Sequence, residues 1–114
     1  MTETTGLGPE DGKLITLARA SRARNAAVEG AAVRDETGRT YVATTVTLPS
    51  LRLSALQAAV AAAVSGEASS LEAAVVVTEG SELTEDDRAV VEDLKTQLVV
   101  IAAPDGVPAS ITRR

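Results

Sequence analysis

Cysteine, histidine, phenylalanine and tryptophan are all absent from these 114 residues, and tyrosine occurs once, at Tyr41. Each absence removes a class of chemistry. Without cysteine there are no disulfides, no thiolate nucleophiles and no thiolate metal ligands, and the redox state of the compartment leaves no mark on the chain. Without histidine no imidazole can activate a serine, shuttle a proton near neutral pH or hold a transition metal. Base stacking, if any, is confined to Tyr41, which reads as a packing residue. No apolar run reaches the roughly 18 residues that argue for a membrane span, and the polar start MTETTGLGPEDG lacks the charged-then-apolar pattern of a secretory signal. The expectation is a soluble cytoplasmic protein.

What remains is aliphatic. The core must be built from Val, Leu, Ile and many alanines, at roughly 25 cal/mol per Å² of buried apolar surface. A chain of 114 residues makes one domain, and one whose small side chains give thin burial gains from oligomerisation. The net charge of −5 argues against nucleic acid as a partner, because that binding draws on clustered Lys and Arg.

Along the chain, residues 1–11 are polar and aperiodic and read as a disordered tail, leaving 12–114 as the domain. Leu14, Ile15, Leu17, Ala18 and Ala23 recur at helical spacing, which predicts a first helix over 12–27. Its interleaved Arg19, Arg22 and Arg24 read as a solvated face that meets acidic groups elsewhere, rather than as a phosphate-reading stripe. Two β-compatible runs, 29–34 and 39–47, flank Asp35-Glu36-Thr37-Gly38, where glycine supplies the left-handed turn residue. Pro49 should then end the strand and Ser50 cap a second helix over 51–64, with Ser65-Gly66 at its end. That helix is apolar almost all round, so it should be covered on more than one side. The continuous runs 71–78 and 98–103 read as central strands. Between them Thr84 and Asp87 look like a capping box opening a third helix over 84–95. A short edge strand could follow Gly106. The order helix-strand-strand-helix-strand-helix-strand predicts a three-layer α/β/α domain with a mixed sheet.

Three local stretches carry a resemblance. Gly30-Ala31-Ala32-Val33, Glu36-Thr37-Gly38-Arg39 and Thr45-Val46-Thr47-Leu48-Pro49-Ser50, in this order of elements, resemble the cytidine deaminase family over roughly 14–106. There a first helix leads to a Gly-Ala-Ala-Leu strand, an acidic turn ending in Gly-Arg, and a strand closing on Asn-Val-Glu-Asn-Ala-Ser. The family's Cys-Ala-Glu helix start falls on Ser54-Ala55-Leu56, and its Pro-Cys-Gly-x-Cys-Arg motif falls near Leu83-Thr84-Glu85-Asp86-Asp87-Arg88. The resemblance implies a zinc ion with three Cys or His ligands and a glutamate that shuttles protons during attack on a pyrimidine. The ligand positions would here be Ser54, Thr84 and Asp87, and the shuttle Leu56. Lowering the pKa of water from about 15.7 to about 7 amounts to roughly 12 kcal/mol, and these four residues do not supply it.

The expectation is therefore a catalytically degenerate cytidine deaminase-like protein without catalytic residues, metal or cofactor. Zinc would be expected only with retained activity. It would act as a binding or assembly module. Thr45 and Thr47, at the family's ribose-binding strand end, are the candidate ligand contacts, although nucleoside binding is not expected. The resemblance implies dimers or tetramers, and the alanine face Ala55, Ala58, Ala59 and Ala62 is the candidate interface. The alternatives are a working nucleoside deaminase with zinc, and an RNA or ribonucleoprotein accessory using the helix-one arginines with Arg113 and Arg114. The acids Glu79, Glu82, Glu85, Asp86 and Asp87 read as partners of a helix dipole rather than as a cation site.

Overall fold

The computed structural model describes residues 7–114, and the elements run α1 (Pro9–Asn25), β1 (Gly30–Asp35), β2 (Thr40–Thr44), β3 (Val46–Leu48), β4 (Leu51–Leu53), α2 (Ala55–Ser65), β5 (Leu71–Val77), α3 (Glu85–Asp93), β6 (Leu98–Ala102) and β7 (Pro108–Arg113). Five strands form one sheet in the order β2-β1-β5-β6-β7, while β3 and β4 form a separate hairpin. Only β5 and β6 pair in parallel; β1–β2, β1–β5 and β6–β7 are antiparallel, so the sheet is mixed as expected. The alternation of side chains along the strands builds two cores. Ala31, Val33, Ala74 and Val76 face α2 and α3, whereas Ala32, Ala73, Val75 and Val77 face Leu14, Ile15 and Ala18 of α1. This is the three-layer arrangement, with β5 buried on both faces except at Glu72.

Alanine and glycine set the layer spacing. A Cβ on Gly30 would lie 2.2 Å from the Ala18 carbonyl oxygen, so α1 rests its backbone directly on the start of β1.

Several boundaries differ from the sequence expectation. The first helix begins at Pro9, not at 12, because proline at the first helical position and Glu10 and Asp11 in the first turn favour a helix start. Of the expected 1–11 tail, residues 1–6 lie outside the described residues, and 9–11 are helical. The second helix begins at Ala55 rather than at 51. Pro49 and Ser50 form the turn of the β3–β4 hairpin, in which Thr47 pairs with Arg52, and the helix is capped by Ser54 instead of Ser50. Ser54 Oγ accepts from the Gln57 amide at 3.0 Å, and the Gln57 side chain accepts from the Ser54 amide at 2.9 Å. This is a capping box of the S-x-x-Q type, a signal present in the sequence. The edge strand after Gly106 is present as β7.

The second helix is covered on one side only. Ala55, Leu56, Ala59, Val60 and Ala63 are buried within the chain, Ala58 is half-buried, and Ala61, Ala62 and Val64 are exposed. Ala55 and Ala59 are therefore core residues, which corrects their assignment to an interface face. Among the described residues no helix is long and apolar enough to cross a membrane.

Candidate functional site

Strand direction brings the relevant residues to one end of the sheet. Because β2 and β5 are both antiparallel to β1, and β6 is parallel to β5, the three strands finish at the same end. The helices α2 and α3, which follow β2 and β5 in the chain, start there.

At these two helix starts, Ser54, Thr84 and Asp87 come together. Ser54 Oγ donates to Asp87 Oδ1 at 2.5 Å while accepting from the Gln57 amide. Thr84, the N-cap of α3, accepts from the Asp87 amide at 3.2 Å. The expected capping box of α3 is thus half made, since the Asp87 carboxylate reaches across to α2 instead of back to its own cap. Asp87 is only 2% exposed. Burial pushes its carboxyl above the usual range, the Ser54 hydroxyl opposes this, and the neighbouring Asp86 charge adds to it.

Leu56 does not join the cluster as a polar group could. It is fully buried in the core between α2 and the sheet. Thr45 sits in the break between β2 and β3 with its hydroxyl enclosed and without a hydrogen-bond partner among the described residues, whereas Thr47 is exposed on β3. Among the described residues no group of three or more Asp, Glu, His and Cys side chains converges on a point where a metal ion could sit.

Two of the three helix-one arginines are engaged within the chain. Arg19 donates to the Pro104 carbonyl at 2.9 Å, and Arg22 donates to the Val28 carbonyl at 3.0 Å with Glu79 at 3.6 Å. Among the described residues Arg22 alone of the three meets an acid, where the expectation was that the whole face would. A groove of about 230 Å³ lies elsewhere, with Val91, Val99 and Ile101 among its lining residues. Its arginines are already paired, Arg88 with Glu82 and Arg114 with Glu92.

One polar centre went unnoticed in the sequence. Asp35, fully buried at the end of β1, accepts from the Thr37 hydroxyl at 2.7 Å, the Thr37 and Arg39 amides at 2.9 and 3.0 Å, and the Tyr41 hydroxyl at 3.1 Å. The signal for it was the D-x-T pattern of an Asx turn.

Comparison with known proteins places this geometry. The chain is similar in structure to the cytidine deaminase from Burkholderia pseudomallei, with a TM-score of 0.76 and 23% identity over 89% of this chain and 90% of that one. It is also similar to the cytidine deaminase from Mycobacterium leprae (TM-score 0.67, 18% identity, 89% and 90% covered) and to a mutant cytidine deaminase from Mycobacterium tuberculosis (0.65, 24%, 84% and 86%). At these identities the likeness establishes the fold. No curated protein matches the chain in sequence. The family model described as cytidine deaminase-like matches residues 7–106, most of the chain, and on that match the chain belongs to the cytidine deaminase-like family.

Proposed function

We propose that this chain is a catalytically degenerate member of its family, a homo-oligomeric binding or assembly module without deaminase activity. The observation that carries this reading is what occupies the site. The proton-shuttle position is Leu56, an aliphatic side chain with no exposure. The ligand positions hold two hydroxyls and one carboxylate, and the hydroxyl of Ser54 is already committed to the carboxylate of Asp87. Zinc sites draw on thiolate, imidazole and carboxylate in a tetrahedral set, so this donor set does not fit the ion. No step of the family's chemistry is derived through it.

The test measures metal and turnover together. After dialysis against chelator and then against zinc, elemental analysis should find well under one zinc per chain, and incubation with cytidine should release no ammonia above the buffer rate. Stoichiometric zinc with turnover would establish the working-deaminase alternative. Salt-sensitive RNA binding would instead establish the accessory alternative, against which stand the net charge of −5 and the local engagement of Arg19 and Arg22.

The assembly part rests on the outer side of α2. Ala58 and Ala62, with Ala61 and Val64 (50% exposed), leave an aliphatic strip in water whose small side chains admit a second backbone closely. Ala62 is exposed in the single chain, so Ala62→Glu should leave the fold intact while burying a charge in any interface there. Sedimentation at micromolar concentration should find dimers or larger species for the wild type and monomers for Ala62→Glu, with melting temperatures of the two monomeric folds alike on dilution. Unchanged assembly in Ala62→Glu would remove α2 from the interface.

A further inference from the structure

We propose that the hydrogen bond between Ser54 Oγ and Asp87 Oδ1 is this chain's substitute for a metal cross-link, joining the N-termini of α2 and α3 where the family's zinc would join them. The inference rests on the positional correspondence used for the functional reading, but not on the absence of turnover.

The need for a cross-link follows from α3. It has nine residues, EDDRAVVED, of which only Asp87 and Val91 are buried. A helix this short is marginal by itself, and five of its nine side chains are acidic. Within the helix its apolar anchorage lies in the second half, at Val90 and Val91 with the following Leu94, and Leu83 packs on the same core just before the helix starts. The first turn has one inward contact, Asp87, and the partner of that contact is the cap of the neighbouring helix.

Donors and acceptors at the junction balance. The single Ser54 hydroxyl hydrogen goes to Asp87, the Ser54 oxygen takes the Gln57 amide, and the Asp87 amide goes to Thr84 Oγ1. Each helix is thus capped by the residue just before it, and the one side-chain bond left over spans the two. The Ser54 hydroxyl is thus engaged both as donor to Asp87 and as acceptor from Gln57. The junction is therefore complete without an ion.

A double-mutant cycle tests this. Ser54→Ala and Asp87→Ala should each lower the melting temperature by roughly 5–15 °C. The double variant should fall little further than the worse single, because the shared bond is lost only once. Asp87→Asn, which keeps an oxygen for the Ser54 hydroxyl, should recover most of the loss. In Ser54→Ala the amides of α3 should exchange about tenfold faster, although Ser54 lies on the other helix. Chelator and added zinc should leave the wild-type melting temperature unchanged.

Additive losses would overturn the proposal. So would faster exchange confined to the first turn of α2, which is all that a lost cap explains, or a rise in wild-type melting temperature with zinc. Ser54→Ala changes a half-buried cap and keeps the fold, so its exchange pattern decides the matter even where Asp87→Ala does not fold. Cytidine turnover by the wild type would overturn the functional reading, whereas the coupling between Ser54 and Asp87 would stand or fall on the cycle alone.

Discussion

Replacing Asp35 with alanine should destabilise the protein by about 3–5 kcal/mol, as expected when a buried, fully partnered carboxylate is removed and its donors are left behind. The side chain has no exposure and sits at the start of the β1–β2 turn, where Gly38 takes the left-handed conformation at φ 92°. Its partners are the Thr37 hydroxyl and amide, the Arg39 amide, the Tyr41 hydroxyl and the Arg39 guanidinium at 3.3 Å. Those groups then tie the hairpin to α2. Arg39 donates to the Gly66 carbonyl at 2.7 Å, and a Cβ on Gly66 would come within 2.9 Å of the Tyr41 oxygen. Loss of Asp35 therefore loosens both the turn and the end of the helix.

The same carboxylate predicts an acid dependence whose sign is fixed. Burial alone would push its pKa up, but the Thr37 hydroxyl, the Arg39 and Thr37 amides and the Tyr41 hydroxyl more than reverse this and bring it from 3.8 to about 2. A depressed pKa means that the folded chain holds the proton less tightly than the unfolded one. The stability it contributes is fully present above the unfolded value of 3.8 and is lost as the pH falls through about 2. Urea unfolding of wild type and Asp35→Ala between pH 7 and pH 2 should show the gap between them narrowing below pH 4. A constant gap, or a loss under about 1 kcal/mol at pH 7, would show that the turn holds without the charge.

How far the sequence carries depends on where the information sits. The two-sided strands are legible, because the runs at 73–77 and 98–102 are continuously apolar and β-branched, unlike the alanine-rich run of α2. The cap of α3 was legible as well: Thr84 stands alone before the helix. The start of α2 was not. Apolar Leu51 and Leu53 continue a helical pattern, and only the register of Val46 with Leu53 and Leu48 with Leu51 makes them a hairpin. Periodicity cannot see a cross-strand pair. The sequence does not separate the buried Ala55 and Ala59 from the outer face of α2, because a helix with apolar residues all round does not announce which side its own sheet takes. The convergence of Ser54, Thr84 and Asp87 came from resemblance alone, and the hydrogen bond between the first and last of them is a tertiary fact that no local pattern encodes. The sequence does not single out Asp35, because a turn aspartate and a buried aspartate look alike until the strands are paired.

Restoring thiolates at the three converging positions should create a metal site. In the triple variant Ser54→Cys, Thr84→Cys, Asp87→Cys, residues 54 and 84 are helix N-caps and residue 87 is in the first turn of α3. Thiols at helix N-termini ionise more readily, because the helix dipole favours negative charge there, and the thiolate is the ligand form. The Ser54 and Asp87 side chains already meet at 2.5 Å, and Thr84 Oγ1 lies 3.2 Å from the Asp87 backbone amide, so the three residues adjoin at one junction. Structural zinc bound by thiolates contributes on the order of 10 kcal/mol of apparent free energy, which exceeds the one cross-helix hydrogen bond and the two cap bonds given up. The variant should bind about one zinc per chain and melt well above its own chelated form, while the wild type does neither. On the proposed reading it should be inactive on cytidine, since Leu56, the proposed shuttle position, lies inside the core, and Leu56→Glu added to it would bury a carboxylate in that apolar layer at a cost to folding. Elemental analysis and melting with and without chelator read the result. A triple-cysteine variant that folds, stays reduced and takes up no zinc would break the correspondence between these residues and the family's ligands, and with it the argument that this site is a metal centre replaced rather than a helix junction that never held one.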